Sequence, residues 1–553
     1  KTLFPYTTLF RSQGVPPEQI LAITFTRRAA SEMKERLEVL LGHTADPIAT
    51  MTFHALGLSI LREFGETKEV QLASDRERET VLVEALAVKP QKARSLCAAI
   101  SRLKRKTARH EDARRTGLVE EGSELDRAFA AYESALVARG LVDFDDLVAR
   151  ANLLIRSRAE VQGALHARWP HISVDELQDI DERQYELLLG LAGETKNVCA
   201  IGDPDQAIYG FRGSDVGFFF RFREDFPAAS VVRLGKNYRS TRTIVDAALS
   251  VIAPSPTMGE RILRPLLEDQ SRIGVHVARS EQAEAVWVVQ MIETLVGGTS
   301  LHSFDIGRVT PSAAGGGHSF SDFAVLYRTE AQSEALAVAL ARSGMPFERR
   351  THERIAERAA AMAILSQWSR LDAAESVASA LRAAASHARE EENTAEQYGE
   401  PEIDSALRVL LAIAERCHGN ATQFRLEAMM DVEVDAWDPR AERISLLTLH
   451  ASKGLEFRVV FIVGCEDGLL PLRLPGRESD LAEERRLFYV GMTRARERLF
   501  LTRAESRHVR GAALEPSISP FLQEIEARLV ENKGSGMPER SNPRGKKKQM
   551  SLF

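Results

Sequence analysis

Apolar residues recur along this chain in short continuous runs of strand length, several of them followed by stretches with helical spacing. Gln19–Phe25 (QILAITF) is the first such run, and Ala29–Leu41 after it predicts a helix. Leu72–Arg168 is polar-faced and helical nearly throughout, which predicts an inserted helical subdomain. His171–Asp175 (HISVD) and Val198–Gly202 (VCAIG) then predict buried strands that end in polar residues. In an open α/β sheet those ends form the edge where ligands bind. A second α/β stretch starts near Ser230, with predicted strands Val231–Leu234, Gly274–Ala278, Phe323–Tyr327, Ile444–Leu449 and Val459–Val463. The Gly- and Ser-rich segment Ser300–Asp322 predicts a flexible loop. Thr351–Asp431 predicts a second helical insertion, broken by the acidic run Glu390–Glu402 (EEENTAEQYGEPE). From Val530 the chain turns polar and basic, which predicts a disordered tail.

Composition narrows the class. The 553 residues, 44% hydrophobic and 27% charged, are those of a globular protein, and the length predicts about three or four domains. No apolar run approaches the length of a membrane span. The four cysteines, Cys97, Cys199, Cys417 and Cys465, stand far apart with no C-x-x-C pair. That spacing argues against a zinc or iron–sulfur motif and a disulfide framework, and fits a reducing cytoplasm. A formal net charge of −6 does not advertise nucleic-acid binding. Locally, Arg102–Arg115 (RLKRKTARHEDARR) and Arg544–Lys548 are strongly basic, and the first reads equally as a solvated helix face or a nucleic-acid footprint. The opening KTLFPYTTLFRS lacks both an initiating Met and a signal-peptide pattern and resembles translated sequencing-adapter read-through, so the fold reading starts at Gly14.

The chemistry lies in an ordered run of motifs: VDELQD (Val174–Asp179), GDPDQAIYGFRG (Gly202–Gly213), NYRS (Asn237–Ser240), TLHASKGLEF (Thr448–Phe457) and VGMTRA (Val490–Ala495). No G-x-x-x-x-G-K-[ST] loop precedes them. Phosphoryl transfer to water needs Mg²⁺ near the β- and γ-phosphates and a group that orients the attacking water. Asp175 suits the metal and Glu176 the water; alone, such a pair at a strand end is a common capping arrangement. Gln206 lies in the turn after the next predicted strand, where it can sense a γ-phosphate. Tyr209, Phe211 and Arg212 follow it closely, and bases of a single strand stack on such rings with roughly 1–3 kcal/mol each. Spacing leaves open that Tyr209 and Phe211 are core. Arg239 and Arg494 belong to the second α/β stretch, and arginines facing a transferring phosphoryl group are worth about 10³–10⁵ in rate.

Together these motifs resemble superfamily 1 DNA helicases of the UvrD/Rep/PcrA type, from Gly14 to about Leu522. The resemblance implies an α/β fold of two RecA-like parallel-sheet domains with two inserted helical subdomains. It divides the chain into a non-native leader (1–13), a first RecA-like domain (14–71 and 169–229), a helical insertion (72–168), a second RecA-like domain (230–344 and 442–526), a shortened helical insertion (345–441) and a tail (527–553). The implied ligands are ATP and Mg²⁺, with single-stranded DNA and DNA junctions as partners.

Residue by residue, the resemblance implies DNA contacts from Phe25 in ITFTRRAASEM and from Thr52 and His54 in TFHALG. It implies further DNA contacts from Tyr209, Phe211, Arg212, His450 and Lys453. Asp175 and Glu176 match the Walker B pair and Gln206 the γ-phosphate sensor. Tyr238 resembles the adenine-stacking tyrosine, Gly454 and Glu456 the motif beside the ribose, and Arg239 and Arg494 the two arginine fingers. The segments that select adenine and cradle phosphate are absent, so the chain as written is expected to be N-terminally truncated and not to hydrolyse ATP at a useful rate. The short second insertion keeps open a translocase that displaces proteins with little unwinding. The missing phosphate loop keeps open a non-catalytic DNA- and clamp-binding scaffold. The last residues, QMSLF, resemble a sliding-clamp-binding peptide, with Gln549, Met550, Leu552 and Phe553 as its contacts. A cytoplasmic monomer or weak dimer with no membrane contact is expected.

Overall fold

Five consecutive buried residues make β1 (Ile20–Thr24), a run with no polar face and therefore fit only for the inside of a sheet. The computed structural model that contains it describes residues 14–533, apart from 43–46, 66–69, 108, 194–196, 255–262, 269–270, 298–316, 351–354, 356–357, 372–375, 391, 431–440, 475, 477–478 and 510–511. The chain divides into two units, one formed by residues up to 235 with 255–261 and 350–440, the other by 236–254, 262–349 and 441 onward.

In the first unit β1 lies between β2 (Ala49–Thr52) and β3 (His171–Val174), and β4 (Val198–Ala200) extends the sheet beyond β3. All these pairings are parallel, with Thr24 opposite Thr52, Ile23 opposite Val174 and Val174 opposite Ala200. Parallel register brings every carboxyl end to one edge. The three strands predicted here form within a residue or two of their expected bounds; β2 has no counterpart among the predicted strands, and β4, expected to be buried, is half-buried. The helix after β1 runs Arg27–Leu41 and is capped by Thr26, whose side chain accepts from Ala29 N.

The helical stretch between β2 and β3 has two allegiances. The helices Asp75–Leu86, Pro90–Lys104 and Glu124–Ala138 close around their own core of Val81, Leu82, Leu96, Ile100, Phe129 and Tyr132. Phe144–Ser157 and Ala159–Arg168 instead place Val148, Ala151, Ile155, Val161 and Leu165 in the core of the sheet. Residues 355–430 also belong to this unit: Leu426 and Met430 pack with Leu58, Leu61, Leu72 and Leu147.

The second unit holds β5 (Lys236–Thr241) paired with β6 (Arg264–Leu267), and a large sheet. The large sheet uses β7 (Ile273–Ser280), β8 (Phe323–Tyr327), β9 (Phe347–Arg350), β10 (Ile444–Thr448), β11 (Phe457–Ile462), β12 (Ala495–Val509), β13 (Ala512–Leu514) and β14 (Val530–Asn532). Its order is β9-β10-β8-β11-β12-β7-β14, with β13 on β12. Helices Glu281–Val296 and Ser333–Arg342 bring Val288, Ile292, Leu336 and Leu340 to Phe323, Val325, Val459 and Phe461 on the sheet. On helix Leu481–Met492, Gly491 permits close contact with the sheet: a Cβ there would meet Leu449 Cδ2 at 2.4 Å and Ile462 Cδ1 at 3.2 Å.

Three expectations need correction. Val231–Leu234 forms no strand; Val231, Val232 and Leu234 are exposed, because an apolar run becomes a strand only where a neighbour pairs with it and, among the described residues, none does. The acidic run does not break the second insertion, since one helix runs Glu392–Arg416 through most of it; Glu and Gln are good helix formers. Residues 527–532, expected in a disordered tail, are ordered: Ala527–Leu529 is a helical turn and β14 pairs in parallel with β7, Val530 opposite Ile273. His276 Nδ1 sits 2.8 Å from the Lys533 carbonyl at the end of that strand. Arg544–Lys548 and the residues proposed for clamp contact, Gln549, Met550, Leu552 and Phe553, lie outside the described residues.

Candidate nucleotide and nucleic-acid site

The parallel register places Asp175 just past the carboxyl end of β3, with its N–H donating to the Ile23 carbonyl at 2.8 Å. Glu176, next along, is held at φ 55°, ψ 42°, the left-handed region that costs a non-glycine residue about 1 kcal/mol or more. Gln178 then donates through Nε2 to the Glu176 carboxylate and accepts through Oε1 from Asp203 N at 2.9 Å. Asp203 in turn accepts from Gln206 Nε2 at 2.8 Å. Glu176 and Gln206 are therefore joined by hydrogen bonds across two strand ends. Gly202 makes the join possible, because a Cβ there would lie 2.5 Å from Gln178 Oε1. Nothing in the local sequence pattern gives Gln178 this role, and its one signal is its place inside VDELQD.

The same loop reaches the aromatic residues. Tyr209 is 2% exposed and stacks on Phe25 at 5.0 Å between centroids, so it is buried here with neither ring face open to solvent. Phe211 is 60% exposed, tilted at 6.2 Å from Tyr209. The Arg212 guanidinium carbon lies 5.8 Å and 5.7 Å from the Tyr209 and Phe211 ring centres. Phe25 follows β1 and His54 follows β2, so both stand at the edge that carries Asp175. His54 stacks on Phe144 at 3.9 Å, and the Thr52 hydroxyl caps its helix by accepting from Ala55 N.

The second unit gathers the remaining residues. Arg239 Nε donates to Glu456 Oε1 at 2.7 Å. Burial would raise the Glu456 pKa, but the Arg239 charge, the Arg239 hydrogen bond and nearby positive charge that includes Arg494 together hold the carboxyl below its ordinary value. Asn237 Oδ1 accepts from the N–H groups of Arg239 and Ser240, each at 3.0 Å, and Ser240 Oγ donates to the Ala495 carbonyl at 2.6 Å. Arg494 is buried, with Nε on the Val490 carbonyl at 2.9 Å and Nη1 on the Leu455 carbonyl at 3.3 Å. Tyr238 is 56% exposed. His450, Lys453 and Gly454 lie in the turn between β10 and β11, with Lys453 N donating to the His450 carbonyl at 3.2 Å and Gly454 at φ 81°. Asn237 and Ser240 help tie the motifs of this unit together, a task that their spacing in the sequence does not reveal.

Among the described residues no group of three or more His, Cys, Asp or Glu side chains could hold a metal ion. Mg²⁺ does not need one: it is held by one or two carboxylates together with nucleotide phosphate oxygens. Asp175 and Glu176 at a sheet edge fit that donor set.

Two largely parallel sheets in separate units, with an acid pair and a glutamine at the strand ends of the first and two arginine motifs joined by Ser240 in the second unit, are the arrangement of a two-domain RecA-like helicase fold. The model of the UvrD/REP helicase N-terminal domain matches residues 5–227, and that of the UvrD-like helicase C-terminal domain matches 232–366 and 388–506. This chain belongs to the UvrD/REP helicase family. It is similar to the ATP-dependent DNA helicase PcrA of Staphylococcus aureus, 28% identical over 97% of this chain and 84% of the relative. PcrA of Leuconostoc citreum is 29% identical, covering 96% of this chain and 81% of the relative. The ATP-dependent DNA helicase UvrD1 of Mycobacterium bovis is 30% identical, covering 95% of this chain and 81% of the relative.

Proposed function

We propose that this chain, at the level of its family an ATP-dependent DNA helicase, moves 3′ to 5′ along single-stranded DNA in repair or replication. One observation carries the reading: the hydrogen-bond relay Glu176–Gln178–Asp203–Gln206 leads from the acid pair into the loop that bears Tyr209 and Phe211. A γ-phosphate at Gln206 is thereby felt at the rings that hold bases. Asp175 would hold Mg²⁺ through its carboxylate and Glu176 would orient the attacking water. The metal, when bound, neutralises charge on the phosphates.

Arg239 and Arg494 are the residues assigned to the γ-phosphate, Tyr238 to the adenine, and Gly454 with Glu456 to the ribose. Phe25, Thr52, His54, Tyr209, Phe211, Arg212, His450 and Lys453 are assigned to the strand. Among the described residues no helix is long and apolar enough to cross a membrane. A cytoplasmic setting is part of the same proposal and follows from a DNA substrate. Clamp binding through Gln549, Met550, Leu552 and Phe553 is a separate proposal; equal clamp recovery with and without the last five residues ends it.

Polarity and activity are tested together. The protein, expressed from the complete open reading frame, is assayed for ATP hydrolysis and for displacement of a strand from duplexes with 3′ or 5′ single-stranded tails. Hydrolysis stimulated by single-stranded DNA, with displacement only from the 3′-tailed duplex, is expected. Hydrolysis indifferent to DNA, or displacement only from the 5′-tailed duplex, contradicts the reading.

A further inference from the structure

The basic stretch Arg102–Arg115 looks uniform in sequence, but folding gives its cations four different fates. Lys104 is swallowed: it is 1% exposed, with Nζ on Asp143 at 2.7 Å and on Asp146 at 2.5 Å. Arg114 and Arg115 are neutralised at the far end by Glu121, Asp126 and Asp112. Arg102, Lys106 and Arg109 remain exposed, and none of them makes an ion pair among the described residues. In a chain of net charge −6, unneutralised cations grouped within eight residues call for a partner.

Their location names it. Arg105 in their midst sends Nη1 to the Arg212 carbonyl and Nε to Asp145 at 3.4 Å. It packs so closely on the aromatic loop that a Cβ on Gly213 would meet Arg105 Cδ at 3.1 Å. Arg183 Nη2 donates to the Lys106 carbonyl, fastening the same backbone from the side of the sheet. Ser214 Oγ on the Asp179 carbonyl and Asp215 N on the Ile180 carbonyl (3.2 Å) hold the loop from its other end. The backbone that bears the three cations is thus anchored to the loop that bears the exposed Phe211 ring. An exposed aromatic plane flanked by unpaired Arg and Lys is the combination that grips single strands, ring on base and cation on phosphate.

We infer that Arg102, Lys106 and Arg109 form a phosphate-binding extension of the Phe211 platform, taking the backbone of single-stranded nucleic acid where it leaves that ring. Arg105 is a positioning residue in this site, since its own charge is turned onto the loop. The inference rests on the DNA reading of Phe211.

Binding of a fluorescent oligothymidylate is measured by anisotropy over a range of salt, which needs no hydrolysis and uses the chain as it stands. Four proteins are compared: wild type, Arg102→Gln/Lys106→Gln/Arg109→Gln, Phe211→Ala, and Arg94→Gln/Arg115→Gln as a control on the same group of helices. Arg94 and Arg115 are exposed and already paired with Glu79 and Asp112, and thermal melts confirm that every variant folds. On a single strand each neutralised phosphate contributes about 0.7 to the slope of log affinity against log salt, so the slope of the triple variant should be smaller by about 2. Phe211→Ala should bind about tenfold more weakly at every salt concentration with its slope retained. The control should keep the wild-type slope. A wild-type slope in the triple variant alongside weak binding by Phe211→Ala overturns the extension and leaves the DNA reading intact. An equally reduced slope in the control also overturns it. Wild-type binding by both the triple variant and Phe211→Ala removes the DNA reading and the extension together.

Discussion

The two helical insertions hold themselves together by opposite means. The first is built around buried charge. Lys104 binds Asp143 and Asp146, Asp143 also accepts from the Tyr132 hydroxyl at 2.8 Å, and Arg78 donates to Tyr132 at 2.7 Å and to Ser101 at 2.6 Å. Burial would push the Asp143 carboxyl up, but Lys104 and Arg78 hold it well below the ordinary range. The second insertion contains no buried polar or charged side chain among the described residues of 355–430. Eight of the eighteen described residues in its core are alanine, including Ala384, Ala385 and Ala388 at 0% exposure. Directional hydrogen bonds admit one arrangement, whereas small apolar knobs let helices approach closely and tolerate several. The first design suits a scaffold that must hold Arg105 against the aromatic loop. The second suits a body attached through a small contact.

The largest effect is expected at Lys104. Lys104→Met leaves Asp143 buried without its ion-pair partner and Asp146 with only Arg150 at 3.3 Å, and removing one partner of a buried pair costs roughly 3–5 kcal/mol. Adding Asp143→Asn and Asp146→Asn should recover part of that loss in a urea melt, because no charge is then stranded. A Lys104→Met protein as stable as wild type would mean the network is not what orders the first insertion. The alanine core should respond to size instead. Ala385→Leu overfills a closed site and should cost about 1–3 kcal/mol in the same melt. A neutral Ala385→Leu would show a looser core than the geometry implies. The smallest effect is expected where the second insertion meets the helix after β1. Arg27 and Glu427 pair at 2.5 Å with 21% of each side chain exposed, so Glu427→Gln should cost about 0–1 kcal/mol and less at high salt. A cost several times larger would mean the ion pair, rather than the packing of Leu426 and Met430, docks that body.

Legibility in the sequence follows the range of the interactions involved. Strands buried on both faces are plain, and Phe323–Tyr327 is legible to the residue because its five apolar positions need no partner to be recognised. Asp175 stands out because its motif follows such a strand, and Gln206 because GDPDQ follows the short half-buried strand Val198–Ala200. Whether Val231–Leu234 or Val530–Asn532 pairs is decided by a neighbouring strand remote in sequence, and local pattern misreads both. Gln178 joins Asp203 across 25 residues and Arg105 joins Arg212 across 107, distances at which no local pattern operates. The basic stretch is equally opaque: Lys104 and Arg102 are two residues apart, one sealed among acids and the other in solvent.

In the proposed function, the relay through Gln178 links the nucleotide to the grip on DNA. Its most direct test is the affinity for oligothymidylate with and without a non-hydrolysable ATP analogue, in wild type and in Gln178→Ala, each expressed from the complete open reading frame. The nucleotide should change wild-type affinity and leave Gln178→Ala unmoved, with nucleotide-free binding alike in both. An equal nucleotide response in the two proteins would contradict the account.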